Sequence, residues 1–374
     1  MGALTASRSG AARGGSLRVI ADKVTAYTKA VQSPEKLVGQ VIHTKDPLTR
    51  EEARTAMAGV LRGEVADADL SAMLVALSAR GETAAEIAGF VEAMRAAALT
   101  LPLTDAERSV LVDTCGTGGD AMTNTGACAT FNISTAVAIV AAAAGAKVAK
   151  SGNRSVTSLS GSADVLEALG VAVNLDAAAC VQTLRATGFM YLHAPVMHPA
   201  MKHVMPVRRA LGVRTVFNIL GPLTNPAGAR RQVMGVYSAH LVPLVGEALA
   251  MLGTEHAFVV HGSDGLDELT ITGASSVAEV RGNTLSLRQI APGDVGLTPA
   301  AITALHGGDA KENAEILRSI FAGEKSPRRD VVLLNAAAVL VAAGVAKAMT
   351  DGAKLAAAAI DSGGALDVLA KLQR

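Results

Sequence analysis

The sequence predicts an α/β protein with a small all-helical lobe and a large α/β lobe around a central, mostly parallel mixed sheet. Three observations lead there. Residues 34–99 carry apolar side chains at helical spacing of three and four. From Ser109 the period shortens, and strand-like runs alternate with helices. The 374 residues, half of them hydrophobic, suffice for two domains.

Residues 1–34 read as an N-terminal arm, small, polar and weakly basic through Gly15, without the apolar stretch of a signal peptide. A helical domain then spans 35–105. Thr49 with Glu52, and Thr83 with Glu86, have the spacing of capping boxes. Between them Asp67 or Asp69 is placed to cap a helix carrying Leu70, Met73, Leu74 and Leu77, closed by Gly81. Residues 110–112 form a short apolar strand that runs into a glycine-rich turn, followed by a helix over 134–144. Strands are expected at 146–149, 171–173 and 189–192, with helices at 162–169 and 176–187 ended by Gly170 and Gly188. Residues 199–211 return to helical character and 218–228 read as a loop rich in Gly, Pro and Asn. The helical domain is therefore expected to include a discontinuous part near 198–222, leaving 106–197 and 223–374 to the α/β domain. Further strands are expected at 232–237, 257–261, 268–272 and 277–281, the later ones close enough to pair antiparallel. The Ala-rich C-terminal third reads as helices packed on that sheet.

A formal charge of +1 argues against a basic nucleic-acid binder. Cys115, Cys128 and Cys180 lack paired spacing, which disfavours a disulfide framework or a zinc site and fits a reducing cytoplasm. The most apolar runs, 136–146 and 331–346, are Ala-rich and too short or too weak to cross a bilayer.

The chemistry-bearing residues gather in loops. Gly116, Thr117, Gly118, Gly119 and Asp120 follow the first α/β strand at its carboxyl end, where open α/β sheets hold ligands. The loop is either a phosphate cradle or a tight turn whose glycines supply positive φ; it matches neither a dinucleotide fingerprint nor a P-loop. Asn132, Ser134 and Thr135 stand at a helix start, suited to an anion or to simple N-capping by Ser134. Lys150, Ser151, Gly152, Asn153 and Arg154 put cations and an amide at the same edge, or are solvated loop residues. Asp264, Asp267 and Glu268 offer carboxylates suited to magnesium, which commonly neutralises a diphosphate leaving group. His198, Arg208 and Arg209 form a last group, in which an arginine could fork onto a carboxylate.

Taken in order, the motifs resemble one family. They are Cys115-Gly-Thr-Gly-Gly-Asp120, Phe131-Asn-Ile-Ser-Thr135, Lys150-Ser-Gly-Asn-Arg-Ser155, Gly161-Ser-Ala-Asp164, His198-Pro-Ala-Met-Lys202 and Val207-Arg-Arg209. Phe217-Asn-Ile-Leu-Gly-Pro-Leu-Thr-Asn-Pro226 and Asp264-Gly-Leu-Asp-Glu268 complete the set. From Glu35 onward the chain strongly resembles the anthranilate phosphoribosyltransferases, whose fold is a helical lobe hinged to a nucleoside phosphorylase/phosphoribosyltransferase-like α/β lobe. The resemblance implies transfer of phosphoribosyl from 5-phosphoribosyl 1-diphosphate to anthranilate, the second step of tryptophan biosynthesis from chorismate, with Mg2+ and homodimerisation through the helical lobe. It implies phosphoribosyl-diphosphate contacts from Gly116 to Asp120, Asn132, Ser134, Thr135, Lys150, Ser151, Gly152, Asn153 and Ser162. Anthranilate contacts are implied for Gly116, Asn153, His198, Arg208 and Pro222, and magnesium organisation for Ser134, Asp267 and Glu268; no catalytic base is assigned. Two departures stand out: the family usually has His where this chain has Ser151, and residues 121–128 lengthen the interval after Asp120. A pyrimidine nucleoside phosphorylase shares this fold, but its Lys/Ser-rich phosphate motifs are not seen. A non-catalytic nucleic-acid-binding relative conflicts with the charge balance.

Overall fold

The computed structural model describes residues 32–44, 46–119, 130–155 and 159–374. Most of the expected N-terminal arm, Asp120 and the lengthened 121–128 interval lie outside the described residues.

The chain opens on helices α1 (Pro34–His43), α2 (Arg50–Arg62), α3 (Asp67–Arg80) and α4 (Ala84–Ala97). Both expected capping boxes start helices: Thr49 caps α2 and Thr83 caps α4, each N–H donating back to the box glutamate at 2.9 and 3.0 Å. Helix α3 differs from expectation. Asp67 is already its first helical residue, behind Ala66, so the aspartates add negative charge to the first turn instead of capping it. Gly81 closes α3 with φ of 86°.

Glu86 shows what ties this bundle together. Fully buried, it accepts the Leu48 N–H at 3.0 Å, Arg80 at 2.5 Å and the Thr83 N–H at 3.0 Å. Removing one partner of such a pair strands the other in the interior. Glu86→Ala is therefore expected to cost about 3 kcal/mol or more in urea unfolding, with Glu86→Gln less damaging. Equal midpoints for Glu86→Ala and the parent would contradict this account.

After the short α5 (Asp105–Ser109) the α/β part begins. Its seven described strands are β1 (Leu111–Gly116), β2 (Lys147–Gly152), β3 (Phe189–His193), β4 (Arg231–Gly235), β5 (His256–Gly262), β6 (Ser275–Arg281) and β7 (Thr284–Ile290). They order as β3-β2-β1-β4-β5-β6-β7. Strands β3 to β5 in this order pair parallel, and β5-β6-β7 pair antiparallel. The order reverses at β1, which has β2 on one side and β4 on the other, so the crevice above the carboxyl ends of β1 and β4 is a topological switch point.

Helix α6 (Ile133–Ala143) crosses from β1 to β2, α7 (Ser162–Ala168) and α8 (Ala177–Thr187) from β2 to β3, and α12 (Leu241–Met251) from β4 to β5. Between β3 and β4 come α9 (Ala194–Met197), a 3-10 turn (Pro199–His203), α10 (Met205–Leu211) and α11 (Phe217–Leu223). Val204, Val207 and Phe217 from this excursion share one core with Leu37, Met73 and Phe90 of the bundle. The same core runs on through Val245 of α12 to Val259 of β5, so apolar packing is continuous between the helices and one sheet face. The other face is covered by α6 together with α13 (Ala310–Phe321), α14 (Pro327–Ala342), α15 (Met349–Asp361) and α16 (Gly364–Leu372). Helix α14 is buried nearly all round, which its Ala and Val residues permit.

Three expectations of element type are corrected, and one strand was not foreseen. Residues 171–173 are buried but form no strand, because Val171 donates to Leu166 and closes α7. Residues 268–272 form a turn instead of a strand, since Thr270 and Thr272 spend their hydroxyls on Asp264. Residues 218–223, expected as part of the 218–228 loop, are helical despite Pro222. Strand β7 was not anticipated: it is an edge strand whose side chains are mostly exposed, and its short Thr-Leu-Ser-Leu-Arg alternation was passed over.

Candidate functional site

The carboxyl end of β1 is built around glycines. A Cβ on Gly116 would lie 2.0 Å from Asp267 Oδ2, and one on Gly235 would lie 1.3 Å from the Asp267 carbonyl oxygen. The acidic turn after β5 therefore rests directly on the ends of β1 and β4, at the switch point. Gly118 donates its N–H to Asp267 Oδ2 at 2.7 Å. Thr117 donates its own to the Gly235 carbonyl at 3.0 Å. Gly118 and Gly119 have φ of 64° and 67°, so positive φ and close approach both operate in this loop.

The start of α6 faces the same edge. Ser134 is not a cap: it is the second helical residue, and its hydroxyl accepts Lys150 Nζ at 3.1 Å. Asn132 occupies the N-cap position but makes no capping bond. Its amide donates to the Ser160 carbonyl at 3.0 Å and its oxygen accepts Asn313 at 3.0 Å. The first amides of α6 are thus left without a side-chain cap, and the Thr135 hydroxyl is buried without a partner. Such a helix start favours an anion.

Lys150, on β2, is fully buried, and Nζ donates to the Thr114 carbonyl at 2.8 Å as well as to Ser134. Both acceptors are neutral oxygens, and an ammonium has a third N–H for another acceptor. Behind it, buried Asp113 accepts the Ser151 N–H at 3.0 Å and the Asn225 amide at 2.8 Å, tying β1, β2 and the loop after α11 together. Burial pushes the Asp113 carboxyl upward, and the Asn225 and Ser151 bonds oppose the shift. The Ser151 hydroxyl is buried without a partner. Gly152 packs so tightly that a Cβ there would lie 3.0 Å from Ser162 Cβ. Asn153 is exposed, and Asp164 of α7 accepts the Ser155 and Gly161 amides at 3.0 and 2.9 Å.

The acidic residues divide by role. Asp264 is taken up by Thr270 and Thr272, at 2.5 and 2.9 Å, and by the Leu266 amide. Asp267 faces the glycine loop; desolvation raises its carboxyl, while the Gly118 N–H and the His261 and Lys150 charges act in the opposite sense. Glu268 follows it in the same turn. Among the described residues no three His, Cys, Asp or Glu side chains are placed to hold a metal by themselves.

His198, Arg208 and Pro222 lie in the excursion between β3 and β4, not at the strand ends. His198 is half-buried in a crevice with Leu61, Met94 and Met201; burial lowers its imidazole, and a backbone bond with Thr224 opposes the shift. Arg208 is half-buried with its guanidinium 5.5 Å over the Phe217 ring, and has no carboxylate within 4 Å among the described residues. Pro222 is buried in α11, its carbonyl accepting Gln232 at 2.6 Å.

Asp113, Asn225, Arg214 and Tyr237 were not singled out from sequence. Asp113 left a signal there, as a carboxylate ending an apolar strand run, and Asn225 stood in the 217–226 motif without a role given to it.

Residues 108–366 match a family described as "Glycosyl transferase family, a/b domain", and 36–98 match its "helical bundle domain". The anthranilate phosphoribosyltransferase of Solibacter usitatus (strain Ellin6076) is 50% identical over 85% of this chain and 92% of its own length. That of Chloroflexus aggregans is 50% identical over 90% and 96%. Among solved structures, the anthranilate phosphoribosyltransferase of Thermus thermophilus shares 43% identity at a TM-score of 0.83, covering 90% of this chain and 99% of that one. The Saccharomyces cerevisiae enzyme in complex with PRPP and Mg shares 28% identity at a TM-score of 0.79, covering 90% and 96%. With its loops gathered at the switch point of such a sheet and relatives matching along nearly all of their length, this chain belongs to the anthranilate phosphoribosyltransferase family.

Proposed function

We propose that this protein transfers the phosphoribosyl group of 5-phosphoribosyl 1-diphosphate (PRPP) to anthranilate, releasing diphosphate and N-(5-phosphoribosyl)anthranilate, the second step from chorismate to tryptophan. One observation carries the reading. A fully buried ammonium, Lys150, bonded only to neutral oxygens, stands beside an uncapped helix start and a glycine loop. That combination suits a multiply charged phosphate ester.

In this reading Gly116 to Gly119, with Asp120 beyond the described residues, hold diphosphate and ribose. Asn132, Ser134, Thr135 and Lys150 take the 5-phosphate end, with Ser151, Gly152, Asn153 and Ser162 walling the pocket. Arg208 pairs with the anthranilate carboxylate, and Asn153, Gly116, His198 and Pro222 line the aromatic ring's approach.

Ser134, Asp267 and Glu268 supply only oxygen donors, and no all-protein cage is present among the described residues. This fits magnesium, which is commonly held by one or two carboxylates together with substrate phosphates. When bound, magnesium neutralises charge on the diphosphate and eases its departure. The chain's own residues do the rest. Asp267 is fixed against Gly118, and Lys150 and the α6 amides hold the phosphate end still while the anthranilate nitrogen attacks the anomeric carbon. The C–N bond forms as the C–O bond to diphosphate breaks, and the attacking nitrogen passes its proton to an oxygen of the departing diphosphate. No catalytic base is needed at Arg208 or His198, because an arylamine becomes acidic as that bond forms. Closing the helical lobe, residues 35–105 with 198–222, over 106–197 and 223–374 aligns the reactants and excludes water.

We place the enzyme in the cytoplasm, a reading supported by the free, buried thiols of Cys115 and Cys180. It works as a homodimer through the helical lobe, where Val75 of α3 stays exposed. Light scattering after size exclusion tests this, a monomer mass contradicting it.

The activity test is loss of anthranilate fluorescence on adding PRPP and magnesium. The intact protein consumes anthranilate; phosphate-dependent release of a pyrimidine base instead would contradict the proposal. Arg208→Ala raises the KM for anthranilate by about 10- to 100-fold with little change in the KM for PRPP, because it removes a charge-assisted fork. An unchanged anthranilate KM would remove Arg208 from the site.

A further inference from the structure

The glycine loop is gripped from outside by two residues that none of the assignments above includes. Arg214, in the link between α10 and α11, lays its guanidinium 4.5 Å over the Tyr237 ring and donates Nη2 to the Gly119 carbonyl. Tyr237, just past β4, donates its backbone N–H to Thr117 Oγ1 at 3.0 Å. One stacked pair thereby fixes the residues on both sides of Gly118, whose N–H is bonded to Asp267.

The need for such a grip follows from the backbone. Two successive glycines at positive φ have little intrinsic preference for the direction of the peptide between and after them. A Gly119 carbonyl free to rotate could turn its oxygen toward an anion and repel it. Bonded to a guanidinium, that oxygen is held and its partial charge is offset. Arg214 has no carboxylate within 4 Å among the described residues, and its charge sits directly on the Gly119 carbonyl. An exposed arginine with no such task would have little reason to hold both a ring face and a backbone carbonyl.

Arg214 also lies on the segment that carries Arg208. Helix α10 is capped by Gly212, and the two arginines that stack on rings, Arg208 on Phe217 and Arg214 on Tyr237, sit on one stretch of chain. We infer that Arg214, seated on Tyr237, is a positioning residue for the diphosphate cradle. This rests on the assignment of Gly116 to Gly119 to diphosphate.

The test combines Arg214→Ala, Arg214→Lys, Tyr237→Phe and Tyr237→Leu in the full chain. Steady-state kinetics are measured with each substrate varied, and inorganic diphosphate with magnesium is titrated calorimetrically. Arg214→Ala is expected to raise the KM for PRPP and weaken diphosphate binding by about 10- to 100-fold, leaving the anthranilate KM within about twofold. Arg214→Lys fails to restore binding, because an ammonium neither stacks nor forks like a guanidinium. Tyr237→Phe keeps the ring and behaves as the parent, whereas Tyr237→Leu follows Arg214→Ala. The Arg214→Ala, Tyr237→Leu double variant is little worse than Arg214→Ala alone, because the two act as one unit. Equal changes in both KM values, no change in either, or a Tyr237→Phe as damaging as Tyr237→Leu would overturn the inference. A parent protein that leaves anthranilate unconsumed contradicts the transferase reading separately; the diphosphate titrations still decide the role of Arg214.

Discussion

Replacing Lys150 with methionine will lower kcat/KM for PRPP by about 100- to 1000-fold while leaving the thermal midpoint unchanged or higher. The two halves of this expectation have one cause. Lys150 is buried and its hydrogen bonds go only to neutral oxygens, those of Ser134 and the Thr114 carbonyl, so burying it carries a desolvation cost against which the Asp113 and Asp267 carboxylates act. A methionine of similar length fills the same space without that desolvation cost. The charge is then missing when a phosphate arrives. A structural lysine would behave in the opposite way, with a lower midpoint and nearly intact kinetics. Activity measured beside differential scanning fluorimetry distinguishes the two, and unchanged kcat/KM would remove Lys150 from the phosphate site.

Gly235→Ala is expected to be the most damaging single-methyl change near the site. The added Cβ would lie 1.3 Å from the Asp267 carbonyl oxygen and 2.3 Å from its carbon, so the backbone of the acidic turn must lift off β4. Overpacking of this kind costs about 1–3 kcal/mol, and the lifted turn carries Asp267 and Glu268 away from the Gly118 amide. The magnesium concentration for half-maximal activity should rise and kcat fall, by about 100-fold at fixed magnesium. Gly116→Ala makes the useful contrast. Its Cβ meets chiefly the carboxylate of Asp267, at 2.0 Å from Oδ2, with the Asp267 carbonyl oxygen further off at 3.2 Å, so side-chain movement relieves most of the clash. It should therefore shift the magnesium dependence with a smaller loss of stability. Parent-like magnesium titrations in both variants would show that the acidic turn does not serve the reaction.

What the sequence revealed follows from the range of each interaction. The Thr49 and Thr83 capping boxes, the glycine stop at Gly81 and the alternation of strands with helices are local, and they appear where expected. The position of the glycine loop at a strand end was likewise legible. The contact of Asp267 with Gly118 spans 149 residues, and no periodicity in either segment anticipates it. Arg214 and Tyr237 were hidden for the same reason: each is ordinary in its own segment, and their meaning arises only where the two meet over Gly119. Errors of element type had local causes. Thr270 and Ile271 favour strand by composition, but the side-chain bonds of Asp264 bend residues 268–272 into a turn. Pro222 suggested a loop, yet α11 is short enough to accommodate it.

The central claim joins two substrates in one cleft, and the stoichiometry of the reaction tests it most directly. Anthranilate fluorescence and released diphosphate are followed together after mixing the intact protein with anthranilate, PRPP and magnesium. The account predicts one diphosphate released for each anthranilate consumed, with neither change when either substrate is left out. Diphosphate release independent of anthranilate, or no consumption of anthranilate at all, would contradict it.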